Sequence, residues 1–286
     1  MDRSQDSQQP VNEHCQSPTN SIDSSKASLA CLIAAFGMLW IPLGQHEFLI
    51  RNWMKVGTLM APFLVFVALT FRATNANRVS PDLSVISLGL LIAYIAHQFE
   101  EHWIDLFGNR YAFKPYVNQM LLDRLGGEER AVGPLSDEGV FVINTSLVWL
   151  VGALAIWQSH RHVFPTLCMA AIVLVNAFGH LVVATVDRAY NPGLLTSALV
   201  FLPHSLAVYI WLIRSGVAEP RLAIASLAWG ILAHVAMVLG MIASGWLGII
   251  PETAYFALLI GWSILPVLLF RSADEIHLAT TDEPIH

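Results

Sequence analysis

Apolar and polar positions alternate along this chain on the scale of whole helices. A helix needs about twenty mostly apolar residues to cross a bilayer, and the sequence offers such runs again and again. Ala27 to Ile50 is the first, with Pro42, Gln45, His46 and Glu47 near its far end. Arg51, Asn52 and Trp53 separate it from the second, Met54 to Phe71, and Leu83 to Trp103 is the third. A long polar connection comes next, from Asp105 to Glu138. Within it Val117, Met120, Leu121 and Leu125 recur at helical spacing before Gly126-Gly127, which predicts an amphipathic helix on the membrane surface or a lid over a site. The remaining spans are Gly139 to Gln158, Phe164 to Val186, Leu194 to Ile213, Leu222 to Ala243 and Pro251 to Phe270. Tyr190-Asn191-Pro192-Gly193 marks a tight turn between the fifth and sixth.

This pattern predicts an all-α fold, a polytopic transmembrane helical bundle of about eight spans with a long loop between spans three and four. Residues 1–26 are polar, rich in Ser, Gln, Asn and Asp, and read as a disordered tail. Residues 27–271 form the transmembrane domain, and residues 272–286 a polar, acidic C-terminal tail. The chain starts Met1-Asp2-Arg3 without a basic segment leading into an apolar core, so no cleaved signal peptide is expected. Lys and Arg divide almost evenly between the two faces. Four of those opposite the tails lie in the long connection, where they count for less, and the termini are therefore expected in the cytoplasm.

Composition narrows the function classes. Hydrophobic residues make up 55% and charged residues 13% of 286 positions, with a mean hydropathy of +0.58. Soluble domains carry about a quarter charged residues, so the chain falls on the membrane side. A net charge of −6 without a basic patch argues against a nucleic-acid partner. Cys15, Cys31 and Cys168 are too scattered for a disulfide framework or a CxxC metal site. Glycine-rich phosphate loops, a Gly-x-Ser-x-Gly elbow and repeated histidine boxes are missing.

Against this apolar background stands Ala93-Tyr94-Ile95-Ala96-His97-Gln98-Phe99-Glu100-Glu101-His102. On a regular helix His97, Glu100 and Glu101 share a face, while His102 falls off it and with Trp103 reads as interfacial. The His-x-x-Glu-Glu pattern, with Asn176 and His180 in a second apolar helix, resembles the HXXEE-domain family of integral membrane proteins. That resemblance implies a membrane protein with a polar intramembrane site and carries no activity with it.

At 1.5 Å per residue, His46, His97, Asn144, Asn176 and His180 fall at a similar depth near one membrane boundary. Ionisable groups at such depth mark functional sites. Imidazole with carboxylate suits Zn or Fe, so His97, Glu101 and His180 are expected to ligate a transition metal. Glu100 is expected as a general base, with Glu101 also catalytic, and His46, Glu47, Asn144 and Asn176 as supporting groups. His204 and His234 read as helix-packing histidines. The expected function is a metal-dependent, hydrolase-like enzyme on a lipid-like or other apolar small-molecule substrate, within membrane lipid. A metal-free acid–base isomerase or cyclase and a proton-coupled transporter stand as alternatives.

Overall fold

The computed structural model describes residues 47–74, 83–126, 133–159 and 161–269. The expectations for the tail 1–26, for His46 with the first span up to that residue, and for the tail 272–286 lie outside the described residues. The described chain is helical: α1 (Glu47–Thr74), α2 (Leu83–Trp103), α3 (Phe113–Leu125), α4 (Asp137–Gln158), α5 (Phe164–Asp187), α6 (Leu194–Arg214), α7 (Pro220–Trp246) and α8 (Glu252–Leu269). Six of these, all but α3 and α8, are long and apolar enough to cross a membrane, which points to a multi-pass membrane protein. The α8 helix is apolar but shorter.

One expected boundary moves. Arg51, Asn52 and Trp53 do not break the chain; α1 runs straight through them. Each polar group there finds a partner along the helix surface. Arg51 pairs with Glu47 at 2.9 Å, and Asn52 Nδ2 donates to Phe48 O at 2.8 Å while its Oδ1 accepts from Lys55 Nζ at 2.7 Å. Trp53 is buried, edge-on to the rings of His102 and Trp149. Pairs one turn apart stabilise a helix, so polarity alone was a poor stop signal.

The bundle is organised on α5, which packs against α2, α4, α6 and α7. Its first half, Phe164 to Leu174, is buried without interruption. Hydrogen bonds tie the neighbours to it: Ser87 Oγ to Thr166 Oγ1 at 2.9 Å, and Tyr209 Oη to Leu167 O at 3.0 Å. In an apolar medium such bonds and close contact of small residues hold helices together. Outward-facing Leu59, Phe66, Leu199, Ile224 and Leu239 are exposed, as a lipid-facing belt requires.

Four π-helical turns interrupt the bundle among the described residues: Phe99–Trp103, Thr145–Leu150, Ser197–Phe201 and Ile242–Trp246. Such turns add a residue to one coil and rotate the helix beyond it, and they recur at functional sites. Three of the four adjoin the polar cluster at the end of α2.

Between α2 and α4 lies α3, closed by Gly126 in the left-handed conformation at φ 75°. It is pinned at both ends, by Lys114 to Asp137 at 2.5 Å and by Arg124 to Asp187 at 2.7 Å. Asn118 holds its middle, donating to Leu135 O and accepting from Leu135 N. Tyr116 adds a bond to Asp187, and burial, then that carboxylate, pushes its phenol above the ordinary range.

The α5–α7 contact gives a direct test of the packing. A Cβ at Gly230 stands 2.8 Å from Ala171 Cβ and 3.2 Å from its backbone carbon, which cannot move aside. Gly230→Val is expected to lower stability by about 1–3 kcal/mol through overpacking. Thermal melts of the purified variant in detergent check this, and an unchanged midpoint contradicts the contact.

Candidate metal centre

The site grows from the end of α2. Up to Gln98 this helix is regular and deeply buried; from Phe99 it widens into a π-helical turn. In an α-helix a residue five positions on lies on another face, but hydrogen bonds spanning five residues bring it nearly above the first. His102 therefore comes round to the side of His97 and Glu101. The expectation that His102 is interfacial does not hold: it is 4% exposed, with Nε2 2.8 Å from Glu101 Oε2.

Glu101 is the hub. Its Oε2 lies 3.4 Å from His97 Nε2 and its Oε1 3.3 Å from His180 Nε2, and both carboxylate and His97 are buried. Ligand atoms of His97, Glu101 and His180 all fall within 4.8 Å of one another. The His97 and His180 rings meet edge to face at 4.9 Å, and His97 stacks on Phe201 at 4.3 Å.

The hydrogen bonds around these rings fix where their protons sit. Thr196 Oγ1 gives its one proton to Glu100 Oε2 at 2.6 Å or Gly193 O at 3.2 Å, so toward His97 Nδ1, at 2.8 Å, it accepts. His97 thus carries hydrogen on Nδ1, and its neutral ring turns a bare Nε2 inward; that atom is buried without a hydrogen-bond partner. Asn191 donates to His180 O at 3.0 Å, which leaves its Oδ1 to accept from His180 Nδ1 at 2.6 Å. His180 Nε2 thereby faces Glu101 Oε1 at 3.3 Å.

A third chain of bonds reaches His102. Trp149 Nε1, which can only donate, bonds Gln98 Oε1 at 3.0 Å; Gln98 Nε2 then donates to Asn144 Oδ1 at 3.0 Å. Asn144 Nδ2 is left to donate to Val140 O and, at 3.1 Å, to His102 Nε2. Three imidazole Nε2 atoms therefore surround one carboxylate. Such a set repels itself unless a cation or a shared proton lies between the partners, and nitrogen with carboxylate oxygen is the donor chemistry of Zn and Fe sites. Thr196 and Asn191, which hold the far nitrogens of His97 and His180, are the kind of second partner that metal-bound histidine usually has.

Glu100 does something else. The expectation of a free general base fails because its oxygens are already taken by Tyr190 Oη (3.0 Å), Leu195 N (3.0 Å), Thr196 N (2.7 Å) and Thr196 Oγ1 (2.6 Å). It closes the N-terminus of α6, where unpaired N–H groups favour an anion. Tyr190 links this anchor onward by accepting from Leu106 N at 3.1 Å. Burial raises the Tyr190 phenol above its ordinary range against that bond, and the Glu100 charge adds to the rise.

The turn between α5 and α6 is pressed against the rings. Gly193 has φ 92°, and a Cβ there meets His97 Cε1 at 2.6 Å and His180 Cε1 at 2.9 Å. Both strain and space demand glycine. Thr196, Asn191, Gly193 and Tyr190 were invisible as site residues in the sequence; only Asn-Pro-Gly, read there as an ordinary turn, pointed to this place.

Other expected residues scatter. Glu47 is exposed and paired with Arg51, so it is not at the site, and His46 lies outside the described residues. His204 Nε2 is buried and lies near Gly89, two turns below His97. His234 donates Nδ1–H to Gly230 O at 2.8 Å, as helix-packing histidines do, yet it also lines a cavity. That cavity, 350 Å³, opens beside Glu101 and His180 and is otherwise walled mainly by apolar side chains of α3, α4, α5 and α7, with Asn176 among them. A second cleft of 470 Å³ lies near Arg51, Lys114 and Asp137. His102, Phe113 and Val140 border both.

Residues 88–208 match the family model described as a protein of unknown function with HXXEE motif. The match takes in His97, Glu100, Glu101, His102, His180, Asn191 and Thr196. No curated protein and no solved structure matches the chain.

Glu100 separates anchoring from chemistry. Glu100→Gln sets an amide N–H against the N–H and O–H donors of residue 196 and is expected to cost about 2 kcal/mol, the scale of a hydrogen bond to a charged group. A thermal melt reads this loss; a variant that melts like the wild type removes the anchor role.

Proposed function

We propose that the HXXEE domain of this chain holds one divalent transition metal ion, Zn or Fe, on His97, Glu101 and His180, and that the protein is a metal-dependent intramembrane enzyme of hydrolase type. The observation that carries this reading is the donor set: imidazole Nε2 atoms, their far nitrogens held by outer partners, turned toward a buried carboxylate. His102 stands as a third nitrogen, and a fourth candidate donor, on the Glu101 side. Thr196 and Asn191 orient the ligating rings, and the Trp149–Gln98–Asn144 chain orients His102. A metal there supplies a Lewis acid and brings the pKa of water toward about 7.

The adjoining apolar chamber supports a lipid-like or other apolar substrate drawn from the surrounding membrane. Counting the apolar run of the sequence before residue 47 and the short α8, about eight spans are proposed, with both termini in the cytoplasm. The 2.8 Å Glu101–His102 contact also favours a second reading, acid–base catalysis by a shared proton without metal, as in an isomerase or cyclase.

Elemental analysis of purified protein decides between them. One Zn or Fe per chain is expected in the wild type, falling at least tenfold in His97→Ala, His180→Ala and Glu101→Gln, while Glu100→Gln keeps its metal in the folded fraction. Wild-type protein free of transition metal after expression in supplemented medium sinks the metal reading. Any activity found should disappear on chelation and return with the ion; activity that survives chelation selects the metal-free mechanism.

A further inference from the structure

The chamber beside the centre contains one polar atom that nothing among the described residues satisfies. Asn176 lies one helical turn before His180 on α5, which puts both on one face. Both line the 350 Å³ chamber. The Asn176 Oδ1 atom is buried and has no hydrogen-bond partner. Its polar neighbours in the same wall are committed elsewhere: Asn144 to Gln98, His102 and Val140, Asn191 to His180, His234 to Gly230, and Tyr116 to Asp187. The rest of the wall is apolar, with Leu121, Ile172, Met237 and Met241 among its side chains.

A buried amide left without a partner is costly, and proteins retain such groups where a ligand completes them. We infer that Asn176 is the substrate-positioning residue of this chamber and that it selects apolar molecules bearing a hydroxyl group. A hydroxyl both donates and accepts, so it matches either end of the amide, whereas an ether offers no proton to Oδ1. The chamber volume fits about eleven heavy atoms at roughly 30 Å³ each, the size of a single medium-length chain. Placed so, the hydroxyl end lies one helical turn from His180, in the chamber that Glu101 also lines, with the chain along the α3 and α7 walls.

This inference rests on the same chamber as the proposed centre, and its test separates the two. Wild-type protein in nanodiscs is titrated with 1-decanol and with 1-methoxynonane, molecules of equal heavy-atom count, and the shift in tryptophan-monitored Tm is read against mole fraction in the bilayer. The titration is run as purified and again after chelation. The expected result is about tenfold stronger binding of the alcohol in both preparations, with equal binding of the two probes in Asn176→Leu. Without ligand, Asn176→Leu should melt no lower than the wild type, because it removes an unpaired polar group. Asn176→Ala serves as the second variant should the leucine side chain fill the chamber.

A preference for alcohol that survives in both variants but vanishes on chelation assigns the hydroxyl to the metal, overturning the role of Asn176 while leaving the centre intact. Equal binding of the two probes to the wild type, or no binding of either, overturns the inference outright.

Discussion

Three ring nitrogens crowded on one buried carboxylate need a cation or a shared proton between them, and the surrounding structure holds them in place. Desolvated charge and unpaired lone pairs are among the most costly things a protein interior can contain. Here the cost is concentrated at Glu101, where the side chains of His97, His102 and His180 meet within a few ångströms. Each ring is prevented from relaxing by a bond on its far side or by a chain ending in a group that can only donate, such as Trp149. A cation at the centre turns this mutual repulsion into attraction.

The backbone serves the same end. A π-helical turn brings His102 onto the face of His97, and the left-handed Gly193 lets the α5–α6 turn lie against two imidazoles. Glu100 ties that turn to α2 through four hydrogen bonds, so the two halves of the site move as one body. The adjacent glutamates thus have different tasks. One organises the helix ends; the other faces the histidines.

Around this rigid centre the covering is lighter. The α3 helix closes the chamber but is held at its ends by ion pairs near the surface, which contribute little individually. An element held this way can open more cheaply than the core beneath it. His102, with Phe113 and Val140, separates the apolar chamber from the more open cleft beside Arg51 and Lys114. The centre therefore stands beside a chamber walled mainly by apolar side chains and close to a cleft lined by charged ones.

The amino-acid sequence by itself pointed to the class of structure and to three residues that the fold brings together, His97, Glu101 and His180. Long apolar runs dictate membrane-length helices because the bilayer core leaves the backbone no other partners, and an ionisable side chain in such a run stands out because its burial is costly. His97, Glu101 and His180 were legible on that ground, and Asn144 and Asn176 by their similar depth. Tertiary structure alone decided the rest. It continued α1 through Arg51 to Trp53, since local pairing made those polar residues compatible with a helix. It brought His102 to the centre, because a local change of helical period cannot be read from residue types. It assigned Glu100 to the N-terminus of α6, a partner some ninety-five positions away that no spacing rule reaches. Sequence periodicity reports which residues are costly to bury; only the fold determines which groups meet to offset that cost.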